Sequence, residues 1–209
     1  MATPYNQIAG QSVERLAALS DGIFAVAMTL LVLDLHTPLS EAIHGDVALW
    51  HALAAMAPQM VAYLMSFLTL GIFWTGQQAQ LNCFERSDRH LSWLHLAFLF
   101  AVTLMPFSTR LLAEFITLRA ALIAYWANIL LLGAVLFASW RYALRAKLLK
   151  QEVSHEIECA VERRIVVAQA LYAAGAALCL VNTYISIAVI VLVQLNFAIA
   201  PRVRYLQGI

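Results

Sequence analysis

The sequence predicts an all-α, polytopic membrane protein with six transmembrane helices in a single domain over residues 1–209. Hydrophobic residues make up 63% of the chain and charged residues 12%, whereas soluble domains are roughly 45–50% apolar and about 25% charged. Six apolar segments also approach or exceed the roughly 17–25 residues with which a helix crosses the hydrocarbon core of a bilayer. They cover residues 20–35, 49–74, 91–109, 119–140, 165–182 and 184–200.

The first segment is expected to remain in the mature protein. No basic residue precedes Arg15 and no convincing small-residue cleavage site follows the apolar run, so two marks of a signal peptide are missing. The second and third segments contain Pro58 and Pro106 inside or near their ends, where proline can kink a helix. The last two segments are divided by a turn predicted around Asn182 and Thr183.

The connections between the segments are short. Residues 36–48 contain turn formers and no basic residue, which is typical of an external loop, and residues 75–90 predict a polar internal loop. Residues 141–164 are charged throughout and contain neither Gly nor Pro, so they predict a solvated helix that continues beyond the membrane face. This organisation leaves no room for a soluble catalytic domain.

The basic residues predict the orientation, because Lys and Arg near membrane helices favour the cytoplasmic side. With the N-terminus inside, Arg110 and Arg119 fall outside and the other 11 of the 13 basic residues fall inside. Both termini are therefore expected in the cytosol. The internal residues are Arg15, Arg86, Arg89, Arg141, Arg145, Lys147, Lys150, Arg163, Arg164, Arg202 and Arg204.

Several classes of function are disfavoured. The sequence lacks the G-x-S-x-G elbow, the H-E-x-x-H pair, the P-loop and the dinucleotide fingerprint, so neither catalysis nor a cofactor is expected. His36, His44 and His51 share the outer side with acidic residues, but their spacing matches no established metal site. Three isolated cysteines predict no disulfide. A net charge of +1 argues against a nucleic-acid surface.

The first helix carries charges that a bilayer disfavours. A charged side chain such as Asp21 costs about 2.5–3.5 kcal/mol at membrane depth, so its carboxylate should face protein or water. Arg15 lies six residues earlier, about 9 Å along the helix axis, and a partner on another helix is expected. Alternatively, Arg15 and Asp21 lie at the cytoplasmic interface, where long side chains reach water.

The same helix carries two neighbouring stripes. Small residues on one stripe let membrane helices approach closely. The other stripe is wholly apolar, and identical first helices around an axis would form rings of hydrocarbon that dewet and obstruct ions. Packing against lipid or against the protein core explains such a stripe equally well. The small residues are Ala18, Gly22, Ala25 and Thr29, and the apolar residues are Val26, Leu30 and Leu33.

Three stretches resemble the transmembrane protein 175 family of lysosomal potassium channels and their bacterial relatives. The run R-L-A-A-L-S-D at 15–21, followed by GIFAVAMTLLVLDL, resembles the family's first-helix signature R-x-x-x-F-S-D. YLMSFLTLGIFW at 63–74 and WLHLAFLFAVTLMPFSTRLLAEF at 93–115 look like its second and third helices. The resemblance implies six helices per chain, a homotetramer, and a pore lined by the first helix without a T-V-G-Y-G filter.

The resemblance also implies roles for individual residues. The apolar stripe matches the family's hydrophobic constriction, and Thr29 matches a hydroxyl-bearing position credited with selectivity. Other positions match a polar network that braces the pore helix. The constriction residues are Val26, Leu30 and Leu33, and the network residues are Arg15, Ser20, Asp21 and Gln77.

Three departures from the family pattern bear on these roles. Leu19 replaces the signature Phe, and Val26 stands where Ile or Leu is usual, so the narrowest ring is expected to be wider or to lie deeper, at Leu30. Gln77 and Gln78 stand where the second helix usually carries a His pair. Glutamine does not titrate, which puts a His-dependent pH response in doubt.

The resulting hypothesis is a homotetrameric, potassium-permeable cation channel of the bacterial inner membrane, working in the lipid bilayer by passive conduction. External carboxylates at Asp34, Glu41 and Asp46 would raise the local cation concentration. One alternative is a secondary transporter that uses Asp21 as a proton or ion site. Another is a structural or regulatory membrane protein without transport activity.

Overall fold

The computed structural model describes residues 12–38 and 43–199, and the regular secondary structure in these ranges is helical apart from an isolated bridge between Phe84 and Leu149. The predicted all-α class is confirmed. The helices are α1 (Val13–Leu33), α2 (Asp46–Ala55), α3 (Ala57–Cys83), α4 (Arg89–Thr103), α5 (Met105–Glu114), α6 (Arg119–Arg145), α7 (His155–Ala177), a short 3₁₀ helix (Leu178–Leu180) and α8 (Thr183–Ile199).

Five helical segments in the described ranges are long and apolar enough to cross a membrane. They are α1, α3, the α4–α5 pair, α6, and α7 with the 3₁₀ helix. The last helix, α8, is apolar but has only 17 residues. The multi-pass membrane class is confirmed, whereas a sixth crossing stays a prediction.

The second span lies further along the chain than the sequence predicts. Helix α3 continues to Cys83 through residues expected to form a loop. These residues stay helical because their amide side chains have partners inside the bundle: Gln77 donates to Ser20 Oγ, and Gln80 donates to the carbonyl of Leu136. Residues 49–55 instead belong to α2, in which no residue is buried.

The two prolines coincide with helix breaks, as predicted. Pro58 lies in the first turn of α3, directly after the break at Met56. Pro106 lies in the first turn of α5, after the break at Leu104. Proline is tolerated in a first turn because the N–H that it lacks would have no helical partner there. The third span therefore consists of two short helices.

The charged connection after α6 is not the continuous helix that the sequence predicts. Residues 146–154 interrupt it, and Lys147 has a positive φ of 54°. The interruption folds back on the loop after α3, where the N–H of Glu85 donates to the carbonyl of Leu148 at 2.9 Å. Backbone hydrogen bonds between the two loops thus replace those of a helix. That exchange leaves no Gly or Pro signal in the sequence.

The turn before α8 is confirmed. The Asn182 side-chain oxygen accepts hydrogen bonds from the backbone N–H groups of Tyr184 and Ile185, at 2.8 and 3.3 Å. This is the N-cap geometry that asparagine favours, because it satisfies donors that the first helical turn leaves unpaired. The cap separates α8 from α7.

The core of the bundle positions α1. One stripe of α1 is buried against α3, α4 and α5, while the opposite side is uncovered. The buried stripe repeats every three or four residues, as expected of a helix that is packed along a single face. Its members are Leu16, Ser20, Phe24, Ala27 and Leu31.

Candidate pore helix and its polar brace

A buried polar cluster joins α1 to α3 and α4. Ser20 Oγ lies 2.6 Å from His95 Nε2, and Gln77 Nε2 donates to Ser20 Oγ at 2.9 Å. All three side chains are buried. Buried polar groups of this kind are stable only when they are hydrogen-bonded, so the cluster holds the three helices in one mutual arrangement.

The hydrogen-bonding pattern assigns a proton within the cluster. Ser20 Oγ donates to the carbonyl of Leu16 at 2.9 Å, and His95 Nε2 lies 3.2 Å from the same carbonyl. A carbonyl only accepts, so the network assigns a proton to His95 Nε2. Gln77 Nε2 lies 3.4 Å from the other ring nitrogen, Nδ1, which is then available as an acceptor.

A second polar contact lies one residue further along α1. Asp21 Oδ1 accepts from the indole Nε1 of Trp74 and from Gln78 Nε2, both at 2.8 Å. Both donors lie on α3, four residues apart and therefore on the same helical face. The expected partner of Asp21 on another helix is thus a pair of neutral donors, which replace water around one carboxylate oxygen.

Arg15 is not brought to this contact. Its side chain is exposed, and no ion pair joins it to Asp21 within residues 12–38. Its backbone N–H donates to Ser12 Oγ at 3.2 Å, and this bond caps the start of α1. The sequence-predicted network therefore separates into a buried Ser20–Gln77 contact, a surface contact at Asp21, and an uncovered Arg15.

The apolar stripe of α1 lies on its uncovered side. Val26 is 56% exposed, Leu30 44% and Leu33 72%. Thr29 is also exposed, and its hydroxyl donates to the carbonyl of Val26 at 2.8 Å within the helix. A bond to the helix's own backbone leaves the hydroxyl oxygen with acceptor capacity. The chain itself leaves this entire face free for lipid, another subunit or an aqueous path.

Two residues of the site were not predicted from the sequence. His95 lies in the third predicted segment, where a lone histidine on an apolar helix gives no sign of its partners. Trp74 ends the second predicted apolar segment, and its indole donates to Asp21. The signal that was available is the spacing of Trp74 and Gln78 at i and i+4, which presents two donors on one helical face.

The fold and the site define a class of protein: a multi-pass α-helical membrane protein whose first helix is hydrogen-bonded to the bundle on one face and apolar and uncovered on the other. Within that class, the chain belongs to the TMEM175 family, which confirms the resemblance found in the sequence. The family described as endosomal/lysosomal potassium channel TMEM175 matches residues 15–106. That range contains α1 from Arg15 onward and both of its polar contacts.

Individual relatives agree with this assignment. Potassium channel Cha6605_3372 of Chamaesiphon minutus is 31% identical over 190 residues, covering 88% of this chain and 93% of the relative. Potassium channel B446_29190 of Streptomyces collinus is 42% identical over 102 residues, covering 49% of this chain. The aligned region spans about half of that relative's length, 48%.

A solved structure shares the fold. The crystal structure of a lysosomal potassium-selective channel TMEM175 homolog from Chamaesiphon minutus superposes with a TM-score of 0.79 and 27% sequence identity. The match covers 91% of this chain and 98% of the other. The structural similarity therefore extends past residue 115, where the last of the three stretches that carry the sequence resemblance ends.

Proposed function

We propose that the protein is a homotetrameric, potassium-permeable cation channel of the bacterial inner membrane. Its pore is lined by α1 from each subunit, each chain crosses the membrane six times, and both termini lie in the cytosol. Ions move passively down their gradient and no reaction is catalysed. The bacterial relatives named as potassium channels support the transported ion.

The observation that carries the proposal is the division of α1 into two faces. The buried face is occupied by α3, α4 and α5, so the bundle itself cannot cover the apolar stripe. A helix fixed on one side by Ser20 and Asp21 can present the other side to an axis with a defined rotation. Four such helices would place Val26, Leu30 and Leu33 in successive rings.

These rings form the proposed constriction. Hydrocarbon rings of small radius exclude water, which obstructs ions without any charged gate. Thr29 lies between Val26 and Leu30 in the sequence and adds an exposed side-chain hydroxyl to this helix. We propose that its hydroxyl influences which cation loses its hydration water, whereas the apolar rings set the barrier.

The sixth crossing is supported by how α8 is held. The buried Gln194 Nε2 donates to Thr69 Oγ1 of α3 at 2.7 Å, and the buried Ser186 Oγ donates to the carbonyl of Gly175 in α7 at 2.6 Å. A 17-residue helix is near the lower limit for a span. Because it is hydrogen-bonded deep in the bundle, α8 belongs with the spanning helices.

External carboxylates would contribute to ion entry. Asp34 and Asp46 lie at the end of α1 and at the start of α2, on the proposed outer side. Negative charge near a pore mouth raises the local cation concentration. Glu41, Arg202 and Arg204, which belong to the same predictions of charge and orientation, lie outside the described residues.

The transporter alternative finds less support at its proposed site. A transporter of that kind usually has a discontinuous helix around the ion site near the middle of the membrane. Helix α1 is continuous from Val13 to Leu33 and is not interrupted at Asp21. The carboxylate is also exposed, with two neutral donors on a single oxygen.

Flux through purified protein in liposomes tests the proposal. A potassium gradient should drive a current that grows without saturating, and Leu30→Asn or Val26→Asn should change conductance or cation selectivity several-fold because a polar ring holds water. Val32→Asn is the matched control, since Val32 is an exposed apolar residue of α1 outside the stripe. Unchanged flux in both stripe variants would refute the pore assignment, and no cation flux in the parent protein would refute the channel.

A further inference from the structure

A groove lies among helices of the bundle other than α1. It is bounded by α3, α6, α7 and α8 and has a volume of about 130 Å³. Most of its lining is apolar, with Ile72, Phe73, Leu136, Ile165 and Phe197 as the large contributors. The groove has no role in the proposed ion path, because α1 contributes no residue to its lining.

Small residues on α3 keep the groove open. Gly76 and Ala79 line it, and a Cβ atom added at Gly76 would lie 3.9 Å from Leu136 Cδ2, in ordinary van der Waals contact. Only longer side chains at this position would therefore fill the space. An engineered apolar cavity of about 150 Å³ binds benzene, so a groove of this size accepts a comparable segment of hydrocarbon.

One end of the groove is cationic. Arg164 lines it, is exposed, and forms no ion pair within the described part of the chain. By contrast, Arg141 on the neighbouring helix pairs with Glu162. Arg164 is the last residue before the apolar run that starts at Ile165, so it lies where α7 passes from its charged first turns into its apolar part. In a bilayer, that level corresponds to the headgroup phosphates.

Two polar atoms are left without partners in the groove wall. The Tyr172 hydroxyl and Gln169 Oε1 are buried and have no hydrogen-bond partner among the described residues, although both side chains line the groove. A buried hydroxyl without a partner is unfavourable. A purely hydrocarbon occupant would leave this hydroxyl unpaired, whereas an amphipathic one brings its own acceptors.

We propose that this groove binds an anionic phospholipid, with part of one acyl chain between α3 and α7 and the phosphate against Arg164. Basic sites between transmembrane helices on the positively charged side of a protein recognise anionic headgroups in this way. Charge complementarity selects the occupant, since an apolar segment of a second subunit would not neutralise Arg164. The position away from α1 makes the lipid part of the subunit surface and not of the pore.

Native mass spectrometry of the purified protein tests the proposal without reference to conduction. Phosphatidylglycerol and phosphatidylcholine with identical acyl chains are titrated into the parent protein and into Arg164→Gln. The matched control is Arg163→Gln, because Arg163 is the adjacent basic residue, is exposed, and does not line the groove. Gly76→Leu tests the acyl-chain half of the site independently, because it adds carbon atoms inside the groove.

The parent protein should bind phosphatidylglycerol more tightly than phosphatidylcholine. Arg164→Gln should weaken phosphatidylglycerol binding about fivefold, which corresponds to about 1 kcal/mol per basic residue near a headgroup, and Arg163→Gln should leave it unchanged. Gly76→Leu should weaken both lipids. Equal effects of the two arginine variants would show diffuse attraction to the membrane surface and overturn the site. The lipid site would also be overturned if Gly76→Leu bound both lipids as tightly as the parent protein, or if subunit assembly excluded lipid from the groove.

Discussion

Replacing Ser20 by alanine removes the hydroxyl at the centre of the buried cluster. Ser20 Oγ makes two contacts with other helices, to His95 Nε2 at 2.6 Å and to Gln77 Nε2 at 2.9 Å. Its bond to the Leu16 carbonyl lies within α1 and adds little, because that carbonyl also serves the backbone ladder. The variant therefore tests how strongly this cluster fixes α1 to α3 and α4.

The magnitude follows from these two interhelical bonds. Hydrogen bonds between membrane helices contribute about 0.6 kcal/mol on average and about 1.7 kcal/mol at most. After the change, His95 Nε2 keeps its 3.2 Å contact with the Leu16 carbonyl, and Gln77 Nε2 keeps its 3.4 Å contact with the acceptor His95 Nδ1. Ser20→Ala therefore leaves no new unpaired group, and it should lower the free energy of unfolding by about 1 to 2 kcal/mol.

The assay is reversible unfolding of the purified protein in mixed micelles, with helix content followed by far-ultraviolet circular dichroism. Thr103→Ala is the control, since its exposed hydroxyl donates only to the carbonyl of Phe100 in its own helix, at 2.7 Å. The control should change the free energy of unfolding by less than about 0.5 kcal/mol. If Ser20→Ala matches the control, the cluster does not stabilise the position of α1. If combining it with Gln77→Met gives purely additive losses, the two side chains are not coupled.

Two further predictions concern the surface contact of α1 and the packing of α7. Asp21→Ala removes the acceptor of two interhelical hydrogen bonds and should lower the melting temperature measurably. Glu14→Ala, which removes an exposed acid of the same helix, should not lower it. Equal melting temperatures of the two variants would contradict a stabilising role of the Asp21 contact with α3. At Gly175 a Cβ atom would lie 3.0 Å from Ile190 Cγ1, so Gly175→Val should cost about 1 to 3 kcal/mol by overpacking in thermal unfolding. Gly71→Val meets open space and is the control. A neutral Gly175→Val would show that α7 and α8 separate easily.

The helices themselves could be predicted largely from composition, and their ends could not. Hydropathy indicated all five segments that are long and apolar enough to span a membrane in the described residues, because a run of apolar residues has few other stable environments. It misplaced the end of α3, since Gln77 and Gln80 look like loop residues until their partners on other helices are known. The identity of polar residues at a membrane face therefore does not distinguish a loop from a helix whose polar side chains are hydrogen-bonded to other helices.

The candidate site was predictable in part. The order of residues from Arg15 to Asp21 indicated the family, and with it the face of α1 that the structure leaves uncovered. The pairing of the polar residues was not predictable. Arg15 and Asp21 were expected to belong to one network, yet Asp21 is bonded to Trp74 and Gln78 while Arg15 faces outward.

The sequence by itself determined that this chain is an all-helical membrane protein of the TMEM175 family, because apolar content and one ordered polar motif are properties of the chain alone. Tertiary structure decided which side chains meet. The rotation of each helix about its axis depends on packing with its neighbours, and a change of one residue in register turns a helix by about 100°. His95 reaches Ser20 across 75 positions only because α1 and α4 are packed with these two faces together.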